Sequence, residues 1–138
     1  MRGYIDSSVI LRIIFGEADP IQFAKNLESF FASEILKIEC FRTIDRMHRS
    51  LHLSDKDIAE RYGALHAILK TIHFIKFSGI ICQKASEPFP IVLKTLDAIH
   101  LASAILWQQQ EEKECLFLTH DHQLAKAATT VGFNVLGV

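Results

Sequence analysis

The sequence predicts an α/β fold, a central parallel sheet of about five strands with helices on both faces. Two observations carry that prediction. Five short apolar runs recur along the chain: Gly3-Tyr4-Ile5, Phe30-Phe31-Ala32, residues 72–77, Leu116-Phe117-Leu118 and residues 133–138. Helical patterns separate them, and strands that alternate with helices pack as a parallel sheet buried on both sides.

Each element has a local reason. Asp6, Ser7 and Ser8 follow the first run and are helix-capping residue types. Residues 9–15 read as a short helix closed by Gly16. Pro20 suits the first turn of a helix reaching about residue 28. Ser33 caps a long helix expected over residues 34–51, with Leu36, Cys40, Ile44, Met47 and Leu51 as its apolar stripe. Ser54 and Asp57 form a capping box for a helix over residues 55–70. Residues 72–77 are β-branched and aromatic enough for a strand, and residues 82–85 form a helical turn. Pro88 and Pro90 mark a loop. The helix expected over residues 96–109 is apolar nearly all round as far as Trp107, which predicts burial. Glu111-Glu112-Lys113-Glu114 reads as a solvated helix end. A last helix, residues 123–130, stops at Gly132 before the closing strand.

With 138 residues the chain suits a single domain, residues 1–138. Apolar residues make up 49% and charged residues 22%, which excludes disordered and collagenous classes. A formal charge of −1 excludes a global basic field. Cys40, Cys82 and Cys115 are odd in number and widely spaced, unlike a disulfide framework or a CxxC zinc pattern. A reducing, cytosolic compartment is expected. Asp6 and Arg12 interrupt the early apolar runs, so no signal peptide is read there. No run approaches the roughly 20 apolar residues of a membrane span.

Four carboxylates fall where a parallel sheet binds ligands, at the carboxyl ends of its strands. Asp6 directly follows the first strand, and Asp121 stands three residues after Leu118. Each can also be a helix N-cap. Asp97 lies in the first turn of the apolar helix, where an ionised group needs a partner, the helix N-terminus or a bound cation. Glu39 borders the apolar stripe of its helix and shares a face with Arg42 and Arg46, so a surface Glu–Arg pair competes with a role at the core's edge. Together these acids suggest a hard-cation site for Mg2+ or Mn2+, which prefer oxygen ligands. Such an ion activates water and steadies charge on a phosphodiester. Leaving the four acids aside turns the formal −1 into +3, a mildly basic body around an acidic pocket.

Four segments, in order, carry a family likeness. They are Tyr4-Ile5-Asp6-Ser7-Ser8-Val9-Ile10-Leu11, residues 32–42 with Glu39 and Arg42, Leu96-Asp97-Ala98-Ile99-His100-Leu101-Ala102, and Phe117-Leu118-Thr119-His120-Asp121-His122-Gln123-Leu124 followed by Gly132-Phe133-Asn134-Val135-Leu136. Across essentially the whole chain they resemble the PIN-domain ribonucleases, specifically the VapC-like toxins of toxin–antitoxin pairs. The resemblance implies a three-layer α/β/α fold and Mg2+- or Mn2+-dependent endonucleolytic cleavage of RNA. It also implies a homodimer and a small cognate antitoxin protein as partner. By position, Asp6, Glu39, Asp97 and Asp121 are the implied metal-site and catalytic carboxylates. Ser8 and Thr119 match the hydroxyl positions that support the site. Arg42 and Arg46 are candidate phosphate contacts. Asp6 and Asp97 are expected to hold the ion directly, with Glu39 and Asp121 completing its shell directly or through water.

Other readings use the same residues. An aspartyl-phosphate phosphatase-like domain uses the Asp after the first strand as nucleophile, but its second Asp is replaced by Ser8. A non-enzymatic α/β binding module leaves the acids as caps. Dinucleotide binding lacks a GxGxxG after the first strand. Among seven histidines, His120 and His122 point apart at i, i+2. His100, one turn after Asp97, reads either as a hydrogen-bond donor to that carboxylate or as a packed structural residue. Phe30, Phe31 and Phe41 are candidates for a dimer contact.

Overall fold

The expected α/β organisation appears in a computed structural model that describes residues 1–16 and 27–138. β1 (Arg2–Ile5) leads through Asp6 into α1 (Ser7–Phe15), and β2 (Ser29–Ser33) leads into α2 (Ile35–Ser50). Next come α3 (Asp55–Leu69), β3 (Ile72–Ile75), α4 (Gly79–Ala85) and α5 (Thr95–Glu111). β4 (Cys115–Leu118), α6 (His122–Thr130) and β5 (Asn134–Leu136) complete the chain. The sheet order is β3-β2-β1-β4-β5, and every neighbouring pair is parallel.

The order makes β1 central. The chain builds outward from β1 to β2 and β3 on one side, then returns to add β4 and β5 on the other. A reversal of this kind opens a crevice at the strands' carboxyl ends. Ladder bonds carry into the loops at that edge: Asp6 N–H donates to the Leu118 carbonyl at 3.2 Å, and Thr119 N–H to that of Leu136 at 3.0 Å.

Alternate residues of each strand feed two cores, because successive side chains point to opposite faces. Ile5, Ala32, Ile72 and Leu118 pack with Val9, Leu36, Cys40, Ile44, Ile58 and Leu65, under α1, α2 and α3. Tyr4, Cys115 and Phe117 pack with Leu101, Trp107, Leu124, Ala127 and Phe133, under α5 and α6. Capping follows the expected chemistry at several ends. Gly16 closes α1 with a positive φ of 67°, and the Ser54 hydroxyl accepts the Asp57 N–H at 3.1 Å.

Several expectations are corrected. The helix expected from Pro20 lies mainly outside the described residues, and Leu27 and Glu28 at its end are not helical. β3 stops at Ile75, two residues early; Phe77 N–H is taken by the Glu34 carboxylate at 2.9 Å. α4 begins at Gly79 because the Ser78 hydroxyl accepts the Ile81 N–H. β5 covers only Asn134–Leu136, bounded by Gly137 with φ 112°. The start of α5 is not buried all round, since Leu96 is 47% exposed. Phe30 and Phe41 pack, partly buried, against the first core and Phe31 against the second.

Candidate active site

Asp6 occupies the crevice end of the central strand. It stands at the N-cap position of α1, yet its side chain makes no capping hydrogen bond. The capping explanation therefore fails for this acid. It is 3% exposed, and burial pushes its carboxyl up to about 6. The His100 ring and the Ser8 and Thr119 hydroxyls pull it back, while the charge of Glu39 pushes it further up. Ser8 donates to Asp6 Oδ1 at 2.6 Å.

Ser8 and Thr119 knit two loops together. The Ser8 hydroxyl also accepts the His120 N–H at 2.9 Å and lies 3.4 Å from the Thr119 hydroxyl. That Thr119 oxygen accepts the Asp121 N–H at 3.0 Å. The loop after β1 and the loop after β4 are thus held side by side, and Asp121 is brought to the same edge. Here the capping explanation does apply, because Asp121 Oδ1 accepts the Leu124 N–H at 2.8 Å.

Asp97 lies in the first turn of α5 and makes no side-chain hydrogen bond among the described residues. Its carboxyl is raised chiefly by burial, then by the charge of Asp121 and, more weakly, Glu39; His100 and Lys94 act against the rise. The negative charges thus act on one another along a chain, Glu39 on Asp6 and Asp97, and Asp121 on Asp97. Repulsion of this kind is relieved by a cation.

Glu39 is the acid whose partner the sequence misstates. Arg42 and Arg49 both pair with Asp45, at 3.6 and 3.7 Å. Glu39 instead meets Nε2 of His100, a ring that is fully buried. His100 Nδ1 lies 2.8 Å from the Tyr4 hydroxyl, whose oxygen accepts the Ser33 N–H at 3.0 Å. His100 therefore serves Glu39 and Tyr4, not Asp97. Tyr4 was missed because a tyrosine in an apolar strand reads as core. Its signal was the buried hydroxyl, which needs a partner. Arg42 and Arg46 line an open groove of about 370 Å³ together with Glu39, Ser7, Ile35 and Leu96. His120 turns away, its Nδ1 meeting the Gly137 carbonyl at 2.6 Å.

The donor set is oxygen-only and anionic, which suits a hard divalent cation. His100, the one nitrogen base among them, is occupied on both ring atoms. Among the described residues, no group of three or more His, Cys, Asp or Glu side chains is placed so that it could hold a metal ion by itself. Magnesium does not require one, since it binds through one or two carboxylates and keeps several waters. The residues fit such an ion by their chemistry.

Comparison with known proteins adds family and fold. The PIN domain family model matches residues 3–129. No curated protein matches the chain. Among solved structures, the crystal structure of VapBC2 from Rickettsia felis bound to a DNA fragment from their promoter is similar at a TM-score of 0.67 and 14% identity, covering 99% of this chain and 98% of that one. PAE2754 from Pyrobaculum aerophilum is similar at 0.64 and 14% identity, covering 98% and 83%. A toxin-antitoxin complex from Klebsiella pneumoniae is similar at 0.61 and 16% identity, covering 97% and 95%.

Proposed function

The chain belongs to the PIN-domain family, whose members are in general nucleases, and from that premise we propose that it is a divalent-metal-dependent endoribonuclease, the VapC-like toxin of a toxin–antitoxin pair. The observation that carries this reading is Asp6, a buried carboxylate that ends the central strand and caps nothing. Keeping a charge there is unfavourable unless something outside the protein's own hydrogen bonds uses it.

In this reading Asp6 and Asp97 hold Mg2+ or Mn2+, and Glu39 and Asp121 complete the shell directly or through water. The bound ion supplies a water of lowered pKa and neutralises charge on the phosphodiester in transit. The chain's own residues do the rest. Ser8 and Thr119 fix Asp6 and the Asp121 loop in register. Arg42 and Arg46, lining the groove beside Glu39, hold flanking phosphates of a single-stranded RNA.

The antitoxin partner is supported by two of the similar structures, which are a VapBC2 assembly and a toxin-antitoxin complex. A homodimer and a cytoplasmic setting belong to the same proposal. No helix among the described residues is long and apolar enough to cross a membrane. In this reading a single domain, residues 1–138, carries the nuclease site.

Incubation with defined tRNA, rRNA and mRNA pools, with and without Mg2+, tests the proposal by mapping new 5′ ends. Defined cleavage that requires Mg2+ and disappears in a folded Asp97→Asn variant is the expected result. Full activity in that variant contradicts the assignment.

A further inference from the structure

We propose that His100 is a positioning residue, which decides the direction in which Glu39 presents its carboxylate. The inference rests on the proposed cation-binding reading of Glu39 and adds a residue to it.

The Ser33 N–H donates to the Tyr4 oxygen, so the tyrosine is anchored to the end of β2. The Tyr4 hydroxyl and His100 Nδ1 are 2.8 Å apart, and His100 Nε2 meets Glu39 Oε1. A ring lone pair facing a carboxylate oxygen is repulsive, so Nε2 carries a proton toward Glu39. A neutral ring then accepts the Tyr4 proton at Nδ1, and a cationic ring donates to the Tyr4 oxygen. Both arrangements leave the Glu39 contact unchanged. The chain crosses from β2 through β1 and α5 to α2, with sequence separations of 96 and 61 residues between its side-chain partners.

The alternative open to Glu39 is local. Arg42 is three residues on and Arg46 seven, and both line the same groove as Glu39. Side chains three residues apart on a helix are neighbours, so an unrestrained Glu39 has a guanidinium within reach. His100 holds Glu39 Oε1, and both side chains act electrostatically on Asp6 and Asp97. The other oxygen is left for a cation or its water. Partners of this type orient metal-binding carboxylates, and their loss typically lowers metal affinity about 10- to 100-fold.

Two near-isosteric variants separate positioning from mere packing. His100→Gln keeps an N–H donor near the Nε2 position; His100→Asn keeps only a group near Nδ1. Binding of Mn2+ is followed by calorimetry and folding by circular dichroism. The expected result is about a tenfold or greater loss of Mn2+ affinity in His100→Asn, with His100→Gln keeping affinity near that of the wild type. Wild-type Mn2+ affinity in His100→Asn overturns the proposal, as does an equal loss in both folded variants. If His100→Asn does not fold, Tyr4→Phe removes only the anchor of the ring; weakened Mn2+ binding supports the proposal and unchanged binding overturns it. Wild-type protein that takes up no Mn2+ contradicts the cation reading instead. Proton NMR then still judges the positioning, through a slowly exchanging His100 ring N–H resonance that shifts in Glu39→Gln; absence of that resonance overturns it.

Discussion

Asp6 shows what a single side chain contributes and what it takes away. Its carboxyl titrates at about 6 in the folded protein against an ordinary value of 3.8, because burial disfavours the charged form. Between those two values the folded state binds more protons than the unfolded one, so stability falls as pH rises through the window. Below about 3.8 the group is neutral in both states and the penalty vanishes; above about 6 it is fully present. The shift corresponds to about 3 kcal/mol at about 1.4 kcal/mol per unit. Asp6→Asn is therefore expected to be the more stable protein at pH 8, by up to about that amount, and nearly equal to the wild type at pH 3.5. Denaturant unfolding at the two pH values checks it, and a variant less stable at pH 8 contradicts the account. At this scale the unusual placement of the acids was legible, because carboxylates that follow apolar strands or open an apolar helix are out of place. Glu39's partner was not, since the sequence offers Arg42 one turn away and gives no sign of a histidine 61 residues distant.

Among the elements, α6 separates structural from chemical use of one acid. Asp121 Oδ1 accepts the Leu124 N–H and so caps the helix, while its charge raises the carboxyl of Asp97. Asparagine is about as good an N-cap as aspartate, whereas alanine loses about 1 kcal/mol. Asp121→Asn should therefore keep the melting temperature and lose most Mg2+-dependent cleavage. Asp121→Ala should lose stability as well as cleavage. Cleavage by Asp121→Asn at the wild-type rate indicates that the residue is only a cap. The start of α3 was well read because Ser54 sits directly before its helical pattern, whereas α4 starts three residues early, at Gly79, where Ser78 caps it. Element ends were read less well, for physical reasons. β3 ends where Glu34, from another loop, takes the Phe77 N–H, and Leu96 at the start of α5 lines an open groove despite the apolar sequence around it.

For the molecule as a whole, the placement of the acids follows from strand order. Alternating strands and helices announced a parallel sheet, but the order β3-β2-β1-β4-β5 depends on how two cores close and is not written in any one segment. That order sets β1 beside β4 and so brings the Asp6 loop against the Asp121 loop. The α2 and α5 helices bring Glu39 within electrostatic reach of Asp6 and Asp97, and Asp97 within reach of Asp121. In the proposed function these acids work as one divalent-cation site. Diffraction from crystals soaked in Mn2+, recorded at the manganese edge, tests it most directly. An anomalous peak is expected about 2.1 Å from oxygens of Asp6 and Asp97, absent in Asp6→Asn; a peak elsewhere, or none at millimolar Mn2+, rules out a shared site.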